Sequence, residues 1–231
     1  MNRTHQILLT ILTAGFLAGC GQSSPSATQA IASDTGPVVA ASLSACPTAP
    51  LGRRFDQPIR RDAFDNQLFD AAILHFTNER RCANGLTALA SDQGLRRAAS
   101  IHSADMASRR FFSHTSPVPG RETLGKRLEE SNVTVRGAAE NIATRPRLQI
   151  DGGQPFFVKN SQRCEFTSQG SLIEPHSYKS LAKTFVTQWE NSAGHRRNLL
   201  NPSYTRLGSG GSLQPNPKVC GDIVATQNFA S

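Results

Sequence analysis

Between Ser177 and His195 lies the pattern that most constrains the fold. Tyr178, Leu181, Ala182, Phe185, Val186 and Trp189 recur at the spacing of one face of an α-helix. A helix with a single buried stripe is predicted here, with Ser177 as its cap. Asn191, Ser192, Ala193 and Gly194 then favour local side-chain hydrogen bonds and left-handed backbone over continued helix. His195 is therefore expected where the packed helix gives way to a loop, held rigidly yet able to face a cleft. Phe111-Phe112-Ser113-His114 and Ala139-Glu140-Asn141-Ile142 likewise set one titratable residue among apolar neighbours. Together the three stretches suggest a site made by His114, Glu140 and His195.

The N-terminus bounds the compartment. Arg3 and His5 precede an uninterrupted run of apolar and small residues from Ile7 to Gly19. About a dozen apolar residues are too few for a permanent bilayer span, so residues 1–19 read as a secretion signal. Its ending, Leu17-Ala18-Gly19-Cys20, resembles the bacterial lipobox. That resemblance implies cleavage before Cys20 and acylation of Cys20, which would anchor the mature chain by lipid without spanning the membrane. Gly21 stands where inner-membrane retention signals usually carry Asp, so an outer-membrane destination is favoured for a two-membrane envelope. Residues 20–45 are rich in Ser, Ala, Thr, Pro and Gln, with Asp34 their only charge. Such a segment cannot bury enough apolar surface to offset the entropy of ordering, so it is predicted to be a tether reaching roughly 25 to 30 Å.

Residues 46–231 are enough for one domain with a single substantial core. Without Cys20 they hold four cysteines, Cys46, Cys82, Cys164 and Cys220, an even number in an oxidising compartment. Two disulfides are expected, and three pairings are open. Cys46 with Cys82 and Cys164 with Cys220 is favoured, because each bond would pin a flank or an insertion to a core element. No Cys-x-x-Cys spacing supports a zinc finger or a thioredoxin-like motif, and oxidised cysteines exclude a thiol nucleophile. The formal charge is +8, and many arginines sit in pairs spread evenly along the chain. That spread suits a solvated surface, or attraction to anionic envelope polymers and headgroups, better than nucleic acid. Two Tyr and one Trp offer few stacking platforms, and no recognition motif occurs.

Along the domain, Phe64 to Arg81 shows helical spacing and ends at Asn84-Gly85, and a second helix capped by Ser91 or Asp92 carries the stripe Leu95, Ala98, Ala99, His102, Met106. His102 on that stripe is expected to be a core histidine hydrogen-bonded to backbone or a neighbour. A third helix is predicted over Thr123 to Glu130. Residues 144–176 read as an insertion: Asp151-Gly152-Gly153 and apolar runs at Phe156-Phe157-Val158 and Phe166 suggest a hairpin beside the site cleft. His176 is expected on the surface. Arg206 to Leu213 and Val219 to Phe229 read as strands joined by a proline-bearing turn.

The succession Asn78-Glu79-Arg80-Arg81, Asp105-Met106-Ala107, Phe112-Ser113-His114, Glu140-Asn141-Ile142, Trp189-x-x-Ser192-x-Gly194-His195-Arg196-x-Asn198-Leu199-Leu200 and Thr226-Gln227-Asn228-Phe229 resembles the CAP superfamily. This group comprises the cysteine-rich secretory, antigen 5 and pathogenesis-related proteins and is also called the SCP domain; the short loop around His195 is similar to its bacterial branch. The resemblance covers roughly residues 65 to 230. It implies a three-layer α-β-α sandwich with a short antiparallel sheet, where periodicity alone indicates α+β. It also implies structural roles for Asn78 and Arg81, and a His/Glu site of His114, Glu140 and His195 in which the two imidazoles hold a divalent ion. Zinc would be weakly held, since two histidines are one protein ligand short of a usual catalytic site. One departure stands out: Ser192 occupies the place of the family's second glutamate, and Glu190 lies on a different helical face.

The function expected from these residues is a lipid-tethered binding domain for a lipid, glycan or peptide of the cell envelope. A metal-assisted hydrolase of an envelope polymer or peptide, with His114, Glu140 and His195 as catalytic residues, is the alternative; adhesion or self-association would leave the cleft unused. Ser192 with His195 lacks the Gly-x-Ser-x-Gly turn of a serine hydrolase, and the His-Glu-x-x-His helix of zinc proteases is absent.

Overall fold

A computed structural model describes residues 46–150 and 155–231. The signal, Cys20, the tether and the Asp151-Gly152-Gly153 turn lie outside the described residues. After a short 3-10 turn at Arg53–Asp56 come α1 (Asn66–Ala83), β1 (Ala90–Ser91), α2 (Gln93–Arg109), α3 (Leu124–Glu130) and β2 (Ala138–Pro146). Next are β3 (Phe157–Asn160), β4 (Glu165–Ser168), β5 (Ser171–Leu172), α4 (Tyr178–Asn191), α5 (Ala193–Leu199), β6 (Arg206–Gln214) and β7 (Asp222–Ala230). Among the described residues no helix is long and apolar enough to cross a membrane.

The main sheet has the order β1-β6-β7-β2. β2, β7 and β6 form an antiparallel ladder in which Glu140 lies opposite Asn228 and Asn228 opposite Gly208. β1 adds a two-residue parallel pairing to β6 that periodicity did not predict. Alternation along β7 sorts the layers. Ile223, Ala225 and Phe229 join the core built on α1 and α4, whereas Val224 and Ala230 pack on the α2 and α3 side. The result is an α-β-α sandwich. All six stripe residues of α4 are buried in its core, each apolar side chain contributing roughly 1.5–3 kcal/mol.

Each main helix starts on a side-chain acceptor: Asp65, Asp92, Thr123 and Ser177 accept amide hydrogens of the first turn. Helix α2 lies so close to β6 that a Cβ at Gly210 would fall within the α2 backbone at Ser100. On the other side, α1 covers the remaining edge of β6. Asn66 accepts from the Gly211 amide at 2.7 Å and Asp70 from the Ser209 amide at 2.6 Å. The spacing matches: four residues of helix rise about 6 Å and two of strand about 6.6 Å. Asp70 is buried, and desolvation pushes its carboxyl up to about 7 against the opposing Ser209 hydrogen bond and Arg96 charge.

Both disulfides form, Cys46 with Cys82 and Cys164 with Cys220. The insertion is a three-stranded antiparallel sheet in the order β3-β4-β5. Its position corrects the expectation of a hairpin beside the site. Cys164 ties it to the loop before β7, and Leu148 bridges Pro175, so it sits past Pro146 at the far end of β2. Six strand residues, about 20 Å, separate that end from Glu140. Sequence distance could not reveal this, because the direction of β2 decides to which end of the sheet the insertion is carried. His176 is at the same end and is buried against Ser180, its Nδ1 at 2.9 Å from the hydroxyl, so it is neither on the surface nor at the site.

Candidate functional site

β2 is an edge strand, and the site forms where the two outer layers meet beyond that edge. Consecutive residues on β2 point to opposite faces. Glu140 turns toward α2 and α3, and Asn141 toward α5.

On the first face, Glu140 has a side chain only 4% exposed. Its Oε2 accepts from Arg127 Nη2 at 2.7 Å, and its Oε1 lies 2.8 Å from His114 Nδ1 and 3.7 Å from His102 Nε2. Burial opposes ionisation of Glu140, but the hydrogen bonds and charges of His114, Arg127 and His102 outweigh it and hold the carboxyl below the usual carboxylate range. An ionised carboxylate accepts only, so His114 donates its Nδ1–H to Glu140 and leaves Nε2 on the other side of the ring. The His114 side chain is 56% exposed, and Phe112, two residues earlier, is also exposed.

The segment around His114 is gripped from beneath. His102 Nε2 meets the Ser113 carbonyl at 3.0 Å, and Arg127 donates to the His114 carbonyl at 3.3 Å and the Arg121 carbonyl at 2.9 Å. Arg127 is fully buried. His102 is the core histidine expected from the α2 stripe. Burial lowers its pKa more than Glu140 raises it, so it is neutral. It also walls the Glu140 pocket.

On the second face, Asn141 Nδ2 donates to the His195 carbonyl at 3.3 Å and to Gln227 Oε1 at 3.1 Å. Asn198 donates to Asn141 Oδ1 at 2.9 Å, and Gln227 continues the buried chain to Thr77. Arg81, also fully buried, donates to the carbonyls of Thr87, Leu199, Asn201 and Tyr204. It thereby fixes the C-terminal end of α5. His195 is thus not in a loop, as the Asn-Ser-Ala-Gly run suggested. Ser192 ends α4 and starts α5 at once, placing His195 in the first turn of a second short helix. The break turns the chain; it does not unwind it.

Burial, and secondarily the charge of His114, lowers the pKa of His195 and keeps it neutral. Its Nδ1 is enclosed without a hydrogen-bond partner among the described residues. Asn198 of α5 also donates to the Glu140 carbonyl at 3.4 Å, so the helix that carries His195 is tied directly to the strand that carries Glu140.

The family model of the cysteine-rich secretory protein family, CAP, matches residues 74–229. The chain belongs to this family. Its CAP domain is 36% identical over 138 residues to the uncharacterized membrane protein YlbC of Bacillus subtilis and 27% identical over 142 residues to the uncharacterized protein YkwD of the same organism. These matches take in 60% and 62% of the chain but only 30% and 42% of the relatives' own lengths. Among solved structures it is similar to an extracellular protein containing an SCP domain from Bacillus anthracis, with 30% identity and a TM-score of 0.49, covering 71% of this chain and 41% of that one.

The fold puts His114 in contact with Glu140 and holds His195 beside the neighbouring residue of β2. Glu190 does not enter the site: its carboxylate pairs with Arg80 of α1 at 3.0 Å, as its helical face foretold. Arg127 and Asn198 were missed as site-building residues. Arg127 shares the face of Leu124 and Leu128 on α3, so the helical spacing that marks those two as core marked it as well. The candidate ion ligands are the two imidazoles. His114 is oriented by a carboxylate in the way metal-binding imidazoles are, and His195 is neutral. No group of three or more His, Cys, Asp or Glu side chains suited to a metal occurs among the described residues, so two nitrogens would hold the ion and solvent or ligand would complete its shell.

Proposed function

We propose that this CAP domain is an exported binding module, held to the envelope through an acylated Cys20 and favouring an outer membrane, that captures a lipid, glycan or peptide in the His114–His195 cleft. Zinc is the ion we place between the two imidazoles, weakly held; it would polarise a carbonyl or phosphoryl oxygen of the ligand. Exposed Phe112 offers an apolar contact beside it.

The state of Glu140 carries this reading. A general base works best with a pKa near the operating pH. Glu140 is driven the other way, with both oxygens engaged by Arg127 and His114. The glutamate that could have served instead is replaced by Ser192, and among the described residues no partner orients His195 through its Nδ1. Glu140 holds the site together and is unsuited to act as its general base.

Metal analysis and ligand extraction on the native, unrefolded protein, read by mass spectrometry, test the proposal. The expected result is a co-purified small ligand, together with zinc uptake that falls at least tenfold in His114→Ala and in His195→Ala. Turnover of an envelope polymer that disappears in both variants and in Glu140→Gln would establish hydrolysis in its place. Ligand capture unaffected by all three would move function away from the cleft.

A further inference from the structure

A concavity lies at the opposite end of the sheet from His114. It is an open cleft of about 1230 Å³ between the insertion, the Pro58–Asp62 segment and the β6–β7 loop, somewhat above the roughly 300–1,000 Å³ usual for small-molecule sites. Ile59, Leu148, Leu172, Ile173 and Leu213 supply its apolar lining. Leu172 is 49% exposed, and Phe157, on the same cross-strand row, is 67% exposed.

Charge identifies the type of occupant. Four arginines line the cleft. Arg60 is paired with Asp62 at 2.7 Å and Arg163 with Glu165 at 3.8 Å. Arg61 and Arg147 form no ion pair among the described residues, and one further carboxylate, Glu174, lines the cleft. Arg147 is nearly buried and held by Nη1 donating to the Ile59 carbonyl at 3.0 Å and Nε to the Cys220 carbonyl at 3.5 Å; among the described residues its Nη2 makes no such bond. Burial, and after it the charge of Arg61, lowers the pKa of Arg147. The two guanidinium charges repel, and an anion lodged between them would relieve both.

We propose that this cleft is a second binding site, for an amphipathic carboxylate: the acid group on Arg61 and Arg147, the hydrocarbon chain along Leu172, Ile173 and Leu213. The site is made by the 144–176 insertion and is independent of the His114–His195 cleft. The disulfide between Cys164 and Cys220 holds its two walls together.

The test uses dodecanoate, below its micelle-forming concentration, titrated calorimetrically into the full chain, with dodecanol as the uncharged control. Saturable one-site binding is expected, with dodecanol at least tenfold weaker, since a hydrogen bond to a charged group is lost. Arg61→Ala, at an exposed position, should weaken dodecanoate by about tenfold, and Leu172→Gln by roughly threefold through lost apolar contact. His195→Ala should leave it unchanged, so failure here is separable from failure at the histidine cleft. No saturable binding, dodecanol matching dodecanoate, or wild-type affinity in either cleft variant would overturn the proposal.

Discussion

Glu140→Gln should destabilise the domain far more than the change of one atom suggests. Among the described residues the glutamate is the only carboxylate paired with Arg127, and both side chains are almost wholly removed from water. With a carboxamide in its place, the guanidinium stays buried without a counter-charge, a change that typically costs about 3–5 kcal/mol. The amide NH2 would also face a donor, either Arg127 Nη2 or His114 Nδ1. For a domain of this size 1 kcal/mol shifts Tm by roughly 2–4 °C, so thermal unfolding followed by circular dichroism at pH 7 should show a fall of about 6–20 °C.

The pH dependence supplies an internal check on the same pair. A carboxyl whose folded pKa is depressed contributes stability above its unfolded value near 4.5 and loses it as pH falls through the folded value. The gap between wild type and variant should therefore narrow below pH 4.5. Adding Arg127→Met to Glu140→Gln should recover part of the loss, short of all of it because the His114 and Arg121 carbonyls lose a donor. A Tm within about 3 °C of wild type, or strictly additive costs in the double-mutant cycle, would refute the view that this ion pair underlies the site.

Other outcomes follow from the rest of the fold. Asp70→Asn keeps the acceptor for Ser209 and removes a buried acid whose pKa is raised to about 7. Wild-type stability from this group is full below pH 3.8 and is lost as pH rises through 7, so the variant should gain on wild type from pH 4 to pH 8 by on the order of 4 kcal/mol in urea unfolding; a pH-independent difference would contradict it. Gly210→Ala should cost about 1–3 kcal/mol or more, because α2 must move away from β6. Replacing Cys164 and Cys220 by Ser opens a loop of 56 residues, worth up to about 4 kcal/mol. Hydrogen exchange should rise in β3 to β5 while the Glu140 region of β2 keeps its protection.

The local elements were legible because their signals are local. The α4 stripe, the caps at Asp92 and Ser177, and the two terminal strands depend on period and on a few polar residues beside them, and all were found within a few residues. Family resemblance carried His114, Glu140 and His195, as motifs no periodicity could have joined.

Which residues meet across the fold is a different matter. Glu140 and Asn141 are neighbours in sequence, yet the pleat of an edge strand sends one to a buried arginine on α3 and the other to the backbone of α5. The insertion begins four residues after Glu140 but is carried to the far end of the sheet, because β2 runs that way. A chain encodes the period and polarity of its segments directly, through interactions a few residues long. Only packing decides whether a buried charge finds its counter-charge and which ends of the strands become clefts, since both depend on contacts between residues far apart in sequence.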